Sequence, residues 1–384
     1  MTISSAELIE RAREIAPRAA ARAVATEEQR SPHDDTIKEL IDAELFQILV
    51  PQCYGGHEAG IETHAKVIEI ISAACMSTGW ITAFYSGHNW IATKFPEKAQ
   101  LEIFADRSFA MIPISTAPTL KVVRDGQGFR LSGQSPWSSG IMHADWVMLG
   151  GMIEGEGPSL FTIPAEDVEV IDTWRMSGMA GTGSNDVRVE NVYVPAHRVV
   201  SILGLAAGET EGSRIHQNPL YQVPMLPFLY MEAMPVFSGG LRGATNAFEE
   251  VIQNRVTSYG LAKSAEQQFS QVQLGEIQAR ADVSEILVED IIRRTQAAHA
   301  AGDFDMPIRT RLKGQAGFIV DHCRSSVNEL VKHCGATNFS RDAPLQRFFR
   351  DLNMLSTHAF WDWDSAREQL GRNRLGLDPT YLLL

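Results

Sequence analysis

The spacing of apolar positions along the 384-residue chain changes twice. From residue 1 to about 108, Ala, Leu and Ile recur at steps of three and four, the repeat of helices with one buried face. Pro51 and the Tyr54-Gly55-Gly56 turn punctuate this zone, and Thr78-Gly79 is expected to break a later helix. From about 109 to 225 the repeat shortens to two. Val122 and Val123 run into Asp125-Gly126, and Phe129 and Leu131 follow in alternation, which predicts a hairpin. Further strands are expected at Trp146–Leu149, Ser159–Ile163, Val168–Met176 and Val187–Val194.

After about residue 226 the helical spacing returns and persists. Ile277, Val283, Ile286, Leu287 and Ile291 are expected to form one buried stripe, and Ile319, Cys323, Val327, Leu330 and Cys334 another. Long amphipathic helices in succession predict a bundle. The expected organisation is an α+β fold, mainly α. A helical domain (1–108) precedes a central β domain (109–225) and a C-terminal bundle (226–384).

Composition narrows the partners. Lys and Arg number 34 against 47 Asp and Glu, a net charge of −13, which argues against nucleic acid and anionic membranes. No apolar run approaches the ~20 residues that span a bilayer. The opening MTISSAELIERAREIAPRAAARA is amphipathic and carries acids, unlike a secretion signal, so a cytoplasmic protein is expected. The four cysteines, Cys53, Cys75, Cys323 and Cys334, contain no CxxC pair and are expected to be small buried hydrophobes rather than disulfides or zinc ligands.

Three segments carry candidate chemistry. Tyr85-Ser86-Gly87-His88-Asn89-Trp90 lies near Trp80 and Phe84. Ser135-Pro136-Trp137-Ser138-Ser139-Gly140 precedes His143-Ala144-Asp145-Trp146. Leu345-Gln346-Arg347-Phe348-Phe349-Arg350-Asp351 runs towards His358-Ala359-Phe360-Trp361. Taken singly, each has an ordinary explanation: a core histidine, a strand end, packing aromatics. There is no dinucleotide fingerprint, HExxH or GxSxG, and the glycine-rich Gly178–Gly183 falls between expected strands, a poor phosphate cradle. No metal site is expected.

Taken together, VPQCYGGHEAG (50–60), YSGHNW (85–90), ISTAP (114–118), SGQSPWSSGIMHADWV (132–147), DTWRMSGMAGTGSNDVRVENVYVPAHR (172–198) and LQRFFRDLNMLSTHA (345–359) resemble the oxygenase components of two-component flavin monooxygenases on the acyl-CoA dehydrogenase fold. The resemblance covers nearly the whole chain. It implies reduced FMN or FADH2, supplied by a separate NAD(P)H flavin reductase, reacting with O2. A C4a-hydroperoxyflavin would then hydroxylate a small aromatic substrate, and the chain would assemble as a homotetramer.

The resemblance also assigns residues. Trp137, Ser138 and Ser139 approach the flavin, with one serine hydroxyl near N5; Thr182, Gly183 and Ser184 line it, and Arg255 is a candidate for its phosphate. His358 lies near the reacting carbon, where an imidazole suits proton transfer near neutrality. His88, Tyr85, Trp90, Ile114 and Ser115 lie on the substrate side. Phenol hydroxylases of this kind carry a serine run where this chain has Ile114-Ser115, which tilts the expectation from phenols towards indoles. The alternatives on the same fold are an acyl-CoA dehydrogenase and an N- or S-oxygenating monooxygenase. The dehydrogenase needs a carboxylate base, and no glutamate stands in the matching His358–Trp361 segment.

Overall fold

The computed structural model describes residues 3–256 and 263–380. Six helices come first: α1 (Ser5–Ala21), α2 (Ala23–Glu28), α3 (Asp34–Asp42), α4 (Ile61–Ala74), α5 (Met76–Ala92) and α6 (Glu97–Ile103). The Ser4 hydroxyl caps α1 by accepting from Glu7 N. Thr78-Gly79 does not break a helix: α5 runs through it, and the break falls at Cys75, where the backbone extends (φ −156°, ψ 114°). Gly79 sits inside a helix because a Cβ there would lie 2.0 Å from Ser72 Oγ on α4.

Seven strands follow: β1 (Ile114–Asp125), β2 (Gly128–Ser135), β3 (Trp146–Ile153), β4 (Gly157–Pro164), β5 (Glu169–Ile171), β6 (Asp186–Pro195) and β7 (Val199–Ser201). They form one sheet in the order β5-β6-β2-β1-β3-β4-β7. β1 and β2 form the hairpin expected around Gly126, with Val122 opposite Leu131, whereas β1 and β3 run parallel. The strand expected over Val168–Met176 stops at Ile171. Asp172 turns out to pair with Arg30, and the amides of Thr173 and Trp174 donate to Asn185 Oδ1 instead of a neighbouring strand. Leu120, Phe129, Leu131, Leu149, Phe161 and Val189 build this domain's own core.

The short α7 (Ile202–Ala207) leads to the bundle: α8 (Met225–Asn254), α9 (Gln268–Ala300), α10 (Met306–Val331), α11 (Pro344–Leu355) and α12 (Trp363–Arg374). The α8 helix packs closely on α4 because Gly239 leaves room for the Glu69 carbonyl, 2.4 Å from where a Cβ would stand. The stripe from Ile319 to Leu330 on α10, and Cys334 just past its end, are buried as expected. The α9 stripe is not: Ile277 and Ile291 are buried, but Val283 and Ile286 are 44% and 61% exposed. The buried face of α9 runs instead through Ala281, Ser284 and Val288. Cys53 is likewise exposed, unlike the other three cysteines, and all four are free thiols. Among the described residues, no helix is long and apolar enough to cross a membrane.

Candidate active site

The Trp137-Ser138-Ser139-Gly140 turn leaves β2 and is held by backbone bonds from Ser138 N to Asn185 O and from Gly140 N to Thr182 O. Trp137 takes a left-handed backbone (φ +62°), and its side chain is 66% exposed. A large aromatic held at positive φ and facing out is strained and costly to hydration, a pattern concentrated at ligand sites.

The two serines differ. Ser138 is fully buried and its Oγ has no hydrogen-bond partner. Ser139 Oγ receives the Trp80 Nε1–H at 3.2 Å and lies 2.7 Å from Ser184 Oγ, which lies 2.7 Å from Thr182 Oγ1. Thr182 donates its only proton to Met179 O, so Ser184 donates to Thr182 and Ser139 donates to Ser184. Ser139 therefore keeps one free lone pair, an acceptor suited to the N–H of a reduced flavin ring.

Trp80 joins this turn to an aromatic row. Its ring lies 4.3 Å from Phe84, which lies 4.3 Å from His88; on the other side stand His358 at 6.0 Å and Trp361 at 5.8 Å. Trp80, Phe84 and His88 share one face of α5 through their spacing of four. The two histidines hold opposite tautomers. His358 caps the short turn after α11, its Nδ1 accepting from Phe360 N at 3.3 Å, so the neutral ring carries its proton on Nε2. His88 must give its Nδ1 proton to the Ile112 carbonyl, 2.5 Å away, so its Nε2 is an acceptor. Burial depresses both, His88 to about 3 and His358 to about 4.

The other expected site residues are placed as follows. Tyr85 donates its hydroxyl to Gly140 O and so buttresses the turn from behind. Ile114 opens β1 and packs on the helical core, while Ser115 accepts from Ser135 Oγ at 2.9 Å. Trp90 is drawn away from the row: its ring stacks on Phe228 at 3.8 Å and 3°, its Nε1 donates to Leu220 O, and Lys94 lies over its other face. Gly183 has φ +57° beside the Arg30 carbonyl. Arg255 is not brought to the turn. It borders a separate pocket of about 620 Å³ with Lys332, His333 and Phe269.

Two acids had no role assigned from the sequence: Asp351, quoted only within its segment, and Glu232. Asp351 on α11 accepts from Met179 N at 2.5 Å, latching the 178–184 segment to the bundle; burial raises its carboxyl to about 6. Beside it Arg350 pairs with Glu27 and donates to Ser177 O. Glu232 on α8 is wholly buried next to His88. It is a single carboxylate within the otherwise apolar run 225–237, a signal available to inspection. Among the described residues, no group of three or more His, Cys, Asp or Glu is arranged to hold a metal ion.

A helical domain, a seven-stranded sheet and a helical bundle, with Trp80 linking the tryptophan-serine turn to His358, form the architecture of the acyl-CoA dehydrogenase fold. The hydroxyl relay and exposed Trp137 fit a flat, reduced ring. The chain matches the acyl-CoA dehydrogenase N-terminal domain over residues 5–102 and the C-terminal domain over 233–363. It is 40% identical to a pigment production hydroxylase of Rhodococcus sp. (strain ATCC 21145), each chain covered in full. It is 31% identical to the flavin-dependent monooxygenase oxygenase subunit HsaA of Rhodococcus jostii (strain RHA1), covering 94% of this chain and 96% of that one. The solved structure of XiaF from Streptomyces sp., in complex with FADH2 and glycerol, superposes with a TM-score of 0.89 at 27% identity, covering 99% and 98%. The chain belongs to the oxygenase components of flavin-dependent monooxygenases. It is an enzyme that uses reduced flavin and O2 to hydroxylate an aromatic substrate.

Proposed function

We propose that the chain hydroxylates a small aromatic of the indole or phenol class, held along Trp80, Phe84 and His88, with His358 at the reacting end. The supporting observation is Trp80, whose Nε1 bonds Ser139 while its ring lies 6.0 Å from His358. One side chain thereby couples the flavin-facing turn to the group placed for proton transfer.

Bound reduced flavin, with O2, supplies the electrophilic oxygen. The chain's own residues do the rest. Ser139 would offer its free lone pair to the flavin, Trp137 would cover it, and Thr182, Gly183 and Ser184 would line its site. His358 holds a proton on Nε2 that it can donate to an oxygen atom and recover. The apolar walls of the row exclude water from the reaction. Arg255, apart from the turn, would hold flavin phosphate of a neighbouring copy in a cytoplasmic homotetramer. The exposed Val283 and Ile286 on α9 favour such an assembly. The reductase would draw on NADH or NADPH.

Reconstitution with a flavin reductase and NADH tests this reading: indole or a phenol should yield a hydroxylated product carrying oxygen from 18O2. Absence of labelled product with both indole and phenol would overturn the proposal.

A further inference from the structure

Glu232 has an environment that packing does not explain. Its side chain is 1% exposed and neither carboxylate oxygen has a hydrogen-bond partner. The acid fits only because position 87 is glycine: a Cβ there would stand 1.9 Å from Glu232 Oε1. Its polar neighbour is His88, with Nε2 3.9 Å from Oε1, just beyond hydrogen-bond reach. A residue serving only the core at this point of α8 would be apolar, since a buried carboxyl without donors is costly and readily replaced by a hydrocarbon. A buried polar group left open beside a site is the mark of a missing ligand.

We propose that Glu232 and His88 together form the specificity site for an aromatic substrate bearing a ring N–H, the hydrogen being received by the Glu232 carbonyl oxygen. The inference deepens the aromatic-hydroxylase reading and rests on it. Burial holds the Glu232 carboxyl well above the ordinary carboxylate range, so it keeps its proton. His88 Nε2, 3.9 Å from Oε1, is open to accept that proton when the side chain turns towards it, because His88 has already given its own proton to Ile112 O. With the carboxyl O–H turned to Nε2, the second oxygen faces outward as a bare acceptor. The pair therefore presents acceptors and no donor. A pyrrole-type N–H satisfies it fully. A phenol could give its O–H to the acceptor but would leave its own buried lone pairs without a donor, and a hydrocarbon ring would leave the acceptor unmet. Phe84 and Trp80 follow His88 in the aromatic row, which leads from the pair to the flavin turn.

The test compares indole with indene, its shape-matched analogue lacking N–H, by equilibrium binding to the full-length protein loaded with flavin. The wild-type chain should prefer indole by about tenfold or more, the discrimination expected when a buried acceptor is left unpaired. Glu232→Leu should collapse that preference to near parity. Glu232→Gln should restore it, because its amide N–H can donate to His88 Nε2 while its carbonyl receives the substrate. If Glu232→Leu fails to fold, difference infrared spectroscopy on wild type serves instead: indole, but not indene, should shift the C=O stretch of a protonated carboxyl, and Glu232→Gln should abolish that band. A preference that survives Glu232→Leu, or a carboxyl band that indole leaves unmoved, overturns the inference while hydroxylation of aromatics continues. Loss of all aromatic hydroxylation in the wild-type chain would instead sink the underlying reading.

Discussion

Trp80 donates its indole N–H to Ser139 Oγ at 3.2 Å, so a residue of the first helical domain fills one acceptor position of a hydroxyl relay in the β domain. Trp80→Phe keeps an aromatic ring but removes the N–H donor together with the rest of the pyrrole half. Ser139 then keeps only its bond to Ser184, and the fraction of NADH ending as peroxide should rise severalfold, with a stability loss of about 1–3 kcal/mol from the lost bond and the lost volume. Peroxide yield per NADH, with and without aromatic substrate, measures this; unchanged coupling would dismiss the relay.

The two serines should separate cleanly. Ser138→Ala removes a buried hydroxyl that has no partner, so stability should be unchanged or raised by up to about 1 kcal/mol, with hydroxylation intact. Ser139→Ala breaks the relay and should lower product per NADH by about tenfold, a loss near 1.4 kcal/mol. Parallel melting curves and product assays decide; equal loss of product in both variants contradicts the assignment.

Hydroxylation should fail in His358→Ala while reduced flavin continues to be consumed and peroxide released. Because burial lowers His358 to about 4, the ring is neutral through the ordinary working range. The pH profile of coupled turnover should therefore show no acid limb near the usual imidazole value of about 6.5 that His358→Gln abolishes.

Asp351 predicts a stability trend with pH. Its carboxyl is raised from 3.8 to about 6 by burial, so the folded chain binds this proton more tightly than the unfolded one. The contribution is full below about 4 and is lost as pH rises through about 6, a change of about 3 kcal/mol for this group alone. Asp351→Asn, which keeps an oxygen for Met179 N, should flatten that part of the curve. Melting temperatures between pH 4 and 7 for the two proteins test it.

Gly239→Ala should be among the most damaging single-methyl additions. The new Cβ would meet the Glu69 carbonyl at 2.4 Å, and backbone cannot step aside as a side-chain tip can. A loss of about 1–3 kcal/mol follows from separating α4 and α8, seen as a lowered melting temperature.

Alternation made the β1–β2 hairpin legible, and regular spacing made the α10 stripe legible, because both patterns reflect burial within one chain. Val283 and Ile286 obey the same helical spacing yet point outward: periodicity marks an apolar face without saying what covers it. Thr78-Gly79 misled because glycine propensity is local, whereas its position inside α5 is set by Ser72 on another helix. The turn residues and His358 came from ordered motifs. Trp80 as the link between them did not, since the contact joins residues 59 apart in sequence. Trp90 sat in a promising motif but on the wrong side of α5.

Trp137 holds a backbone conformation that glycine or asparagine would adopt with less strain, a difference of the order of 1 kcal/mol. A library selected only for heat resistance should therefore drift towards those residues at position 137. The survivors would be sturdier proteins that had traded away an aromatic face turned to solvent, so thermostability and flavin use must be screened together in any attempt to engineer this chain.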